Sequence, residues 1–283
     1  MPVPLDTLGS RHSTTAFVDP EQVRAYVAAT NDDNSAYASG RLAPPVFSVI
    51  PSWDPMIAAL HDVMPADQMP MLLHALQDMR FHRPLVPGTT LSTVAGLFGV
   101  QAARAGTWVT IRSTSHDVDN GLLVMEQYGT MFIRGWKAAA SSGADRPDHA
   151  FPSAGRGAPV AEVAATLDAD QTLRYADASG DRNTIHVDDG FARSVGLPGI
   201  ILHGMCTMAI CAQAVIEGVA GSDPARLRRL AVRFSKPVLP GSDLVTTIYS
   251  LNGGAETPGA TSYAFEATSR GERVIRDGRA EIG

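Results

Sequence analysis

Between Ser179 and Asp188 the chain reads S-G-D-x-N-x-x-H-x-D, setting Asp181, Asn183 and His186 close together. A carboxylate and an imidazole at this separation share a helix face poorly, but in an irregular loop they can converge on one water molecule. Histidine gains and loses a proton near neutral pH. The pair is therefore suited to deprotonate that water and to deliver a proton to an adjacent carbon. Asn183, lying between them, has the hydrogen-bonding groups to hold the loop or to orient the carboxylate. Further on, Leu202-His203-Gly204-Met205 opens an apolar run. A helix beginning at His203-Gly204 would offer unpaired backbone N–H groups and a positive dipole end to an enolate-like oxygen, and Gly204 would let a substrate approach closely.

These residue types also have ordinary uses. Asp, Asn and Ser fill many loops, and a histidine in an apolar run is often a satisfied core residue. Asp181, His186 and His203 could ligate a metal chemically, but their spacing fits no standard zinc pattern and no metal is expected. Neither a G-x-S-x-G elbow nor a G-x-x-x-x-G-K-[ST] loop is present, which argues against a serine hydrolase and a nucleoside triphosphatase.

The elements that must position these residues occur twice. "DPEQVRAYVAATNDDNSAY" from Asp19 matches "DADQTLRYADASGDRNTIH" from Asp168 without gaps, pairing Tyr26 with Tyr175, Asp32 with Asp181, Asn34 with Asn183 and Tyr37 with His186. "RFHRPLVPGTTL" from Arg80 matches "RFSKPVLPGSDL" from Arg233. Two matches in the same order indicate a tandem duplication, a pair of related domains. Residues 1–138 form the first and 160–283 the second, joined by a linker over 139–159 in an Ala/Gly/Ser/Pro-rich stretch. Each half reads as a short helix capped at Asp19 or Asp168, with Gln22 or Gln171 three residues on, ending near Tyr26 or Tyr175. A polar loop, an apolar helix and a run of strands follow, punctuated by Pro-Gly turns at 87–88 and 240–241. A helix too apolar to face water, followed by an antiparallel meander, implies an α+β fold in which a sheet curls around the helix.

The duplication supplies an internal comparison. The first half keeps the aspartate and asparagine but has Tyr37 for the histidine, and "PPVFSVI" where the second has "GIILHGM". This is the outcome expected if one copy does chemistry and the other shapes a binding cleft.

The chain has 283 residues, 45% hydrophobic and 18% charged, with a net charge of -6. That composition is globular, and the charge gives no reason to bind nucleic acid or an anionic membrane. Cys206 and Cys211 are poorly placed on one helix to bond to each other, so the protein reads as cytoplasmic. Ser194–Ile216 lacks Asp, Glu, Lys and Arg, but it reads more simply as a helix buried by its own protein than as a membrane span.

"YADASGDRNTIHVDDGFARSVGLPGIILHGM" resembles the hydratase-2 motif of MaoC-like (R)-specific enoyl-CoA hydratases, and the duplicated layout is similar to their double-hotdog members. The resemblance implies a long helix wrapped in an antiparallel sheet, twice, and reversible syn hydration of a trans-2-enoyl-CoA to the (R)-3-hydroxyacyl thioester without metal or redox cofactor. Asp181 and His186 would be the acid/base dyad, Asn183 would orient them, and the Gly204 N–H would polarise the thioester carbonyl. His203, Arg233 and Lys236 would belong to substrate binding, the two cations meeting the CoA phosphates. The family's proline after the asparagine is Thr184 here. The first half would contribute an acyl pocket around Trp53, Met56 and Met64. The single chain would act as a pseudo-dimer, with further homodimerisation left open. Two other readings stand beside this one: a hotdog thioesterase, which would release free CoA, and a non-catalytic acyl-CoA-binding or partner subunit, which would bind without turnover.

Overall fold

The structure is a computed structural model that describes residues 8–64, 72–138, 140–150, 157–251 and 253–283. In chain order the first repeat runs β1 (His12–Phe17), α1 (Pro20–Ala29), α2 (Ser35–Ala38), a 3-10 segment (Pro45–Ser52), α3 (Trp53–Val63), β2 (Leu72–Phe81), β3 (Thr90–Ala103), β4 (Gly106–Asp117) and β5 (Leu123–Arg134), and the short β6 (Ser142–Gly143) follows in the stretch expected as linker. The second runs β7 (Ala161–Thr166), α4 (Gln171–Ser179), α5 (Thr184–Val187), α6 (Asp189–Ser194), α7 (Gly204–Val219), β8 (Leu227–Phe234), β9 (Asp243–Ser250), β10 (Thr261–Ser269) and β11 (Glu272–Ile282).

Two compact units result, and neither is contiguous in sequence. One contains residues up to Phe17, Pro51–Arg83 and Thr89–Asp148; the other contains Val18–Ile50, Pro84–Gly88 and His149–Gly283. The strands lie in the order β1-β3-β4-β5-β2 in the first unit and β7-β9-β10-β11-β8 in the second. These are the same order strand for strand, and neighbours are antiparallel throughout. The halves 1–138 and 160–283 remain our proposal for the units of duplication.

In the first unit the apolar stretch that reads as one helix is divided. Pro51 lies within the 3-10 segment, and α3 follows as an 11-residue helix. Met56, Ala59, Leu60 and Val63 of α3 pack on Leu97 and Val100 of β3, Val109 and Ile111 of β4 and Ile133 of β5. Met56 and Met64, expected at an acyl pocket, belong to this core, whereas Trp53 is 39% exposed. Part of the expected linker is fastened here. β6 pairs with β3, the Ser141 hydroxyl accepts from the Ala102 N–H at 3.1 Å, and the Arg146 guanidinium lies over Trp108. Ala139 and residues 151–156 of that stretch lie outside the described residues.

In the second unit α7 is 16 residues long and buries eleven of them, as its composition requires. No described helix is long and apolar enough to cross a membrane. Cys206 and Cys211 are free thiols, both fully buried. Within the same unit α1 packs against α4, so that Tyr26 and Tyr175, equivalent by sequence, meet with ring centroids 5.4 Å apart. Asp19 caps α1 through the Glu21 N–H at 2.9 Å, with Pro20 in the first turn.

The start of α4 differs from expectation, because the cap is Asp170. The Asp168 carboxylate is instead held by Arg174 and by the Asn31 amide. Gln171 nevertheless reaches back to the Asp168 N–H at 3.0 Å, whereas Gln22 donates to the Ala178 carbonyl. Both helices pass the tyrosines where they were expected to end, α4 stopping at Gly180, whose φ of 81° lies in the left-handed region that glycine adopts at no steric cost. Gly88 and Gly241 take φ values of 90° and 71° in the two Pro-Gly turns.

Candidate active site

The loop after α4 is built by short side-chain hydrogen bonds. The Ser179 hydroxyl accepts from the Asp181 N–H at 3.2 Å, and Asp181 Oδ1 accepts from the Asn183 N–H at 3.1 Å. Asn183 caps α5, its Oδ1 accepting from the Ile185 N–H. The first repeat is built alike: Asp32 Oδ1 accepts from the Asn34 N–H at 3.1 Å, and Asn34 caps α2. The aspartate–asparagine turn is thus architecture common to both copies. It aims the side chain of the next short helix, and in the second repeat that side chain is His186.

His186 is 7% exposed. Its Nδ1–H donates to the Ile201 carbonyl at 2.8 Å, which fixes the tautomer and leaves Nε2 as a free acceptor. Burial pulls its pKa below the ordinary 6.5, partly opposed by the Ile201 hydrogen bond and the Asp181 carboxylate. The ring is therefore neutral at neutral pH. Asp181 Oδ2 has no hydrogen-bond partner among the described residues.

His203 lies beneath the pair, 1% exposed. Its ring stacks on His186 with centroids 3.8 Å and planes 23° apart, and meets Tyr175 at 4.9 Å. Nε2–H donates to the Asp181 backbone carbonyl at 2.9 Å, and Nδ1 faces the Thr172 hydroxyl at 3.2 Å. Burial, reinforced by His186 and opposed by Asp181, lowers its pKa to about 4. One ligating atom from each of Asp181, His186 and His203 lies within 4.8 Å of the others. Because both ring nitrogens of His203 already have protein partners, Asp181 and His186 keep the open valences.

Gly204 begins α7, and the side chain of its cap residue, His203, makes no capping bond. The first N–H groups of α7 therefore have no partner within the helix. A Cβ on Gly204 would stand 3.3–3.5 Å from the Phe234 ring, so glycine leaves room at the helix start. Leu202 N–H donates to the Val238 carbonyl at 2.8 Å, tying the entry of α7 to the segment after β8. Arg233 and Lys236 sit at the exposed end of β8 and just beyond it, paired with Asp277 and Glu272 respectively.

Backbone hydrogen bonds also reset the comparison of the repeats. Leu42 N–H donates to Ala36 O and Ala43 N–H to Leu85 O, as Ile201 N–H does to Ile185 O and Leu202 N–H to Val238 O. Leu42 and Ala43 therefore correspond to Ile201 and Leu202, and the positions of His203 and Gly204 are held by Pro44 and Pro45. This register differs from laying "PPVFSVI" on "GIILHGM". Proline has no N–H, so the first copy lacks the donor as well as the histidines. Two participants escaped the motif, Thr172 and the Ile201 carbonyl. The repeat holds a signal for Thr172, since Val23 of the same shape without the hydroxyl stands opposite it.

Residues 152–263 match the family described as MaoC like domain, and residues 37–135 match the MFE-2 hydratase 2 N-terminal domain. The 3-hydroxyacyl-thioester dehydratase Y of Mycobacterium tuberculosis is 33% identical over 213 residues, 74% of this chain and 72% of that protein. The peroxisomal enoyl-CoA hydratase 2 of Arabidopsis thaliana is 28% identical over 63% of this chain and 60% of its own length. Among solved structures, a MaoC-like dehydratase from Phytophthora capsici superposes with a TM-score of 0.86 at 25% identity, covering 99% of this chain and 98% of that one. A double-hotdog protein from Mycobacterium tuberculosis superposes with a TM-score of 0.63 at 16% identity, covering 99% and 97%, and bears on the fold alone. The chain is thus a double-hotdog protein and belongs to the MaoC-like dehydratase/hydratase 2 family.

Proposed function

We propose that the protein catalyses the reversible syn addition of water to a trans-2-enoyl thioester of coenzyme A, giving the (R)-3-hydroxyacyl-CoA, with the dehydration as its reverse. The observation that carries this reading is the pair of open acceptors, Asp181 Oδ2 and His186 Nε2, on two residues that both pack against His203, the residue that caps α7. A water donating to both would present its oxygen lone pair to C3. As the C3–O bond forms, one water proton passes to the dyad and the C2–C3 π electrons move to the thioester oxygen. The Gly204 N–H and the α7 dipole stabilise that enolate oxygen. Its collapse draws the proton from the dyad to C2 on the same face, so the addition is syn and every atom of the water is retained in the product. These steps require no metal or redox cofactor. Asn183 holds the turn that sets the Asp181 carboxylate.

Arg233 and Lys236 would meet the CoA phosphates by exchanging Asp277 and Glu272 for them. Exposed ion pairs are worth only about 0–1 kcal/mol, so the exchange costs little. The test is an absorbance assay of enoyl-CoA thioesters of graded size, run beside a thiol-reactive dye. Loss of the conjugated enoyl chromophore without free thiol supports hydration. Release of free CoA would point to a thioesterase, and tight binding without turnover to a non-catalytic subunit.

A further inference from the structure

We propose that His203 is a positioning residue that touches no substrate: a buried imidazole post, completed by Thr172, that fixes Asp181, His186 and Gly204 relative to one another. The inference rests on the hydration chemistry proposed above and gives His203 a role other than the substrate binding expected from sequence.

Four elements of the second unit meet at this ring. Through Nε2–H it holds the carbonyl of Asp181 itself, and therefore the turn from which that carboxylate projects. Through its face it supports the His186 imidazole at 3.8 Å. Through Nδ1 it reaches the Thr172 hydroxyl of α4, which also lies 3.0 Å from the Ile201 carbonyl that sets the His186 tautomer. Its backbone is the cap of α7, one residue before Gly204. With 1% exposure and both nitrogens occupied, the ring has nothing left to offer a ligand. Only a flat side chain with a donor on one edge and an acceptor on the other satisfies these contacts, which neutral histidine does. Neutrality has a use as well, because a cation stacked at 3.8 Å would oppose the charge His186 acquires when it takes a proton.

The first repeat serves as a control within the chain. It keeps the Asp32–Asn34 turn but has Val23, Tyr37, Pro44 and Pro45 where the second has Thr172, His186, His203 and Gly204. The hydroxyl, the post, the base and the N–H donor are absent together. A histidine kept only for packing would have no reason to go with the others, since the surrounding turn survives without it.

The test compares wild type with His203→Phe, which keeps a stacking ring but neither hydrogen bond, His203→Gln, which restores a donor near the Nε2 position, and Thr172→Val. Each is read by kcat and KM on crotonyl-CoA and by 15N spectra of the His186 ring. A misplacement of about 1 Å at a catalytic group can cost about 100-fold. His203→Phe should lose about that much kcat with KM within about threefold, and the His186 ring should leave its single Nδ1–H state. His203→Gln should recover about tenfold, and Thr172→Val should fall between. Unchanged kcat in His203→Phe, or a His186 tautomer undisturbed by it, would overturn the proposal. The ring spectra decide the positioning role independently of turnover. A wild type inert toward enoyl thioesters, with the His186 tautomer still dependent on His203, would sink the hydratase reading while supporting the post.

Discussion

His186 and His203 stack at 3.8 Å, yet their nitrogens are committed differently: His186 uses only Nδ1, toward the Ile201 carbonyl, whereas His203 uses both, toward Thr172 and the Asp181 carbonyl. Two stacked imidazoles thus divide into one with a nitrogen open toward a substrate and one whose nitrogens are both taken by the protein. That division has consequences for stability as well as chemistry.

Because the native pKa of His203 is about 4 and its unfolded value about 6.5, the unfolded chain binds a proton between those pH values while the native chain does not. The sign follows from linkage: stability falls as pH drops from about 6.5 toward 4, by about 1.4 kcal/mol per pH unit. His186, also lowered by burial, acts in the same direction. Urea unfolding at pH 7 and pH 5 should therefore show a loss that is smaller in His203→Gln by about 2 kcal/mol. Equal losses in the two proteins would mean that His203 is not held neutral.

Asp32 should behave in the opposite sense. Burial raises its pKa to about 6 despite the Asn34 N–H bond, so the native state binds the extra proton and stability rises as pH falls from about 6 toward 4. Asp32→Asn keeps the acceptor for the Asn34 N–H and removes the buried charge. It should raise stability at pH 7.5 by about 1–3 kcal/mol and give little gain at pH 4.5. A melting-temperature difference of equal size at both pH values would contradict this.

The architecture of the site was legible from the repeat, but its wiring was not. Asp181 and Asn183 could be read as partly architectural because Asp32 and Asn34 recur, and both pairs do build the same turn. The two strand orders match as a duplication requires, but the order itself, with β2 beside β5 and β8 beside β11, departs from the simple meander expected. Illegible were the meeting of Tyr26 with Tyr175 and the reach of His203 to Thr172, 31 residues away. The first depends on how α1 packs on α4 and the second on where α7 begins relative to α4, which no local pattern encodes. The cap at Asp168 was misplaced for a related reason, its carboxylate being taken by Arg174 and Asn31, the latter 137 residues distant. The register of Pro44 and Pro45 against His203 and Gly204 needed the backbone hydrogen bonds, because the two connecting segments differ in length.

Gly204→Ala tests the helix start. Its methyl would stand 3.3 Å from the Phe234 ring, a contact that small shifts can absorb, so the fold should persist. In the space beside the N–H, however, the methyl would hinder the thioester oxygen. Loss of one such donor interaction costs about 100-fold or more in kcat. Retained kcat in a folded Gly204→Ala enzyme would place the thioester oxygen elsewhere.

Arg233→Ala and Lys236→Ala should raise KM for enoyl-CoA about three- to tenfold and leave kcat unchanged, the effect of two exposed charges on a phosphate. With an N-acetylcysteamine thioester, which lacks those phosphates, neither variant should differ from wild type. An equal effect on both substrates would assign the loss to packing instead.

The central claim is that Asp181 and His186 together activate one water for addition to an enoyl thioester. The most direct measurement is the rate of (R)-3-hydroxybutyryl-CoA formation from crotonyl-CoA by wild type, Asp181→Asn and His186→Ala, with circular dichroism confirming the fold of each. Wild type should form the (R) product, and each variant should lose at least about 1,000-fold in kcat, as removal of one member of a cooperating catalytic pair does. Undiminished hydration in both folded variants would contradict the account.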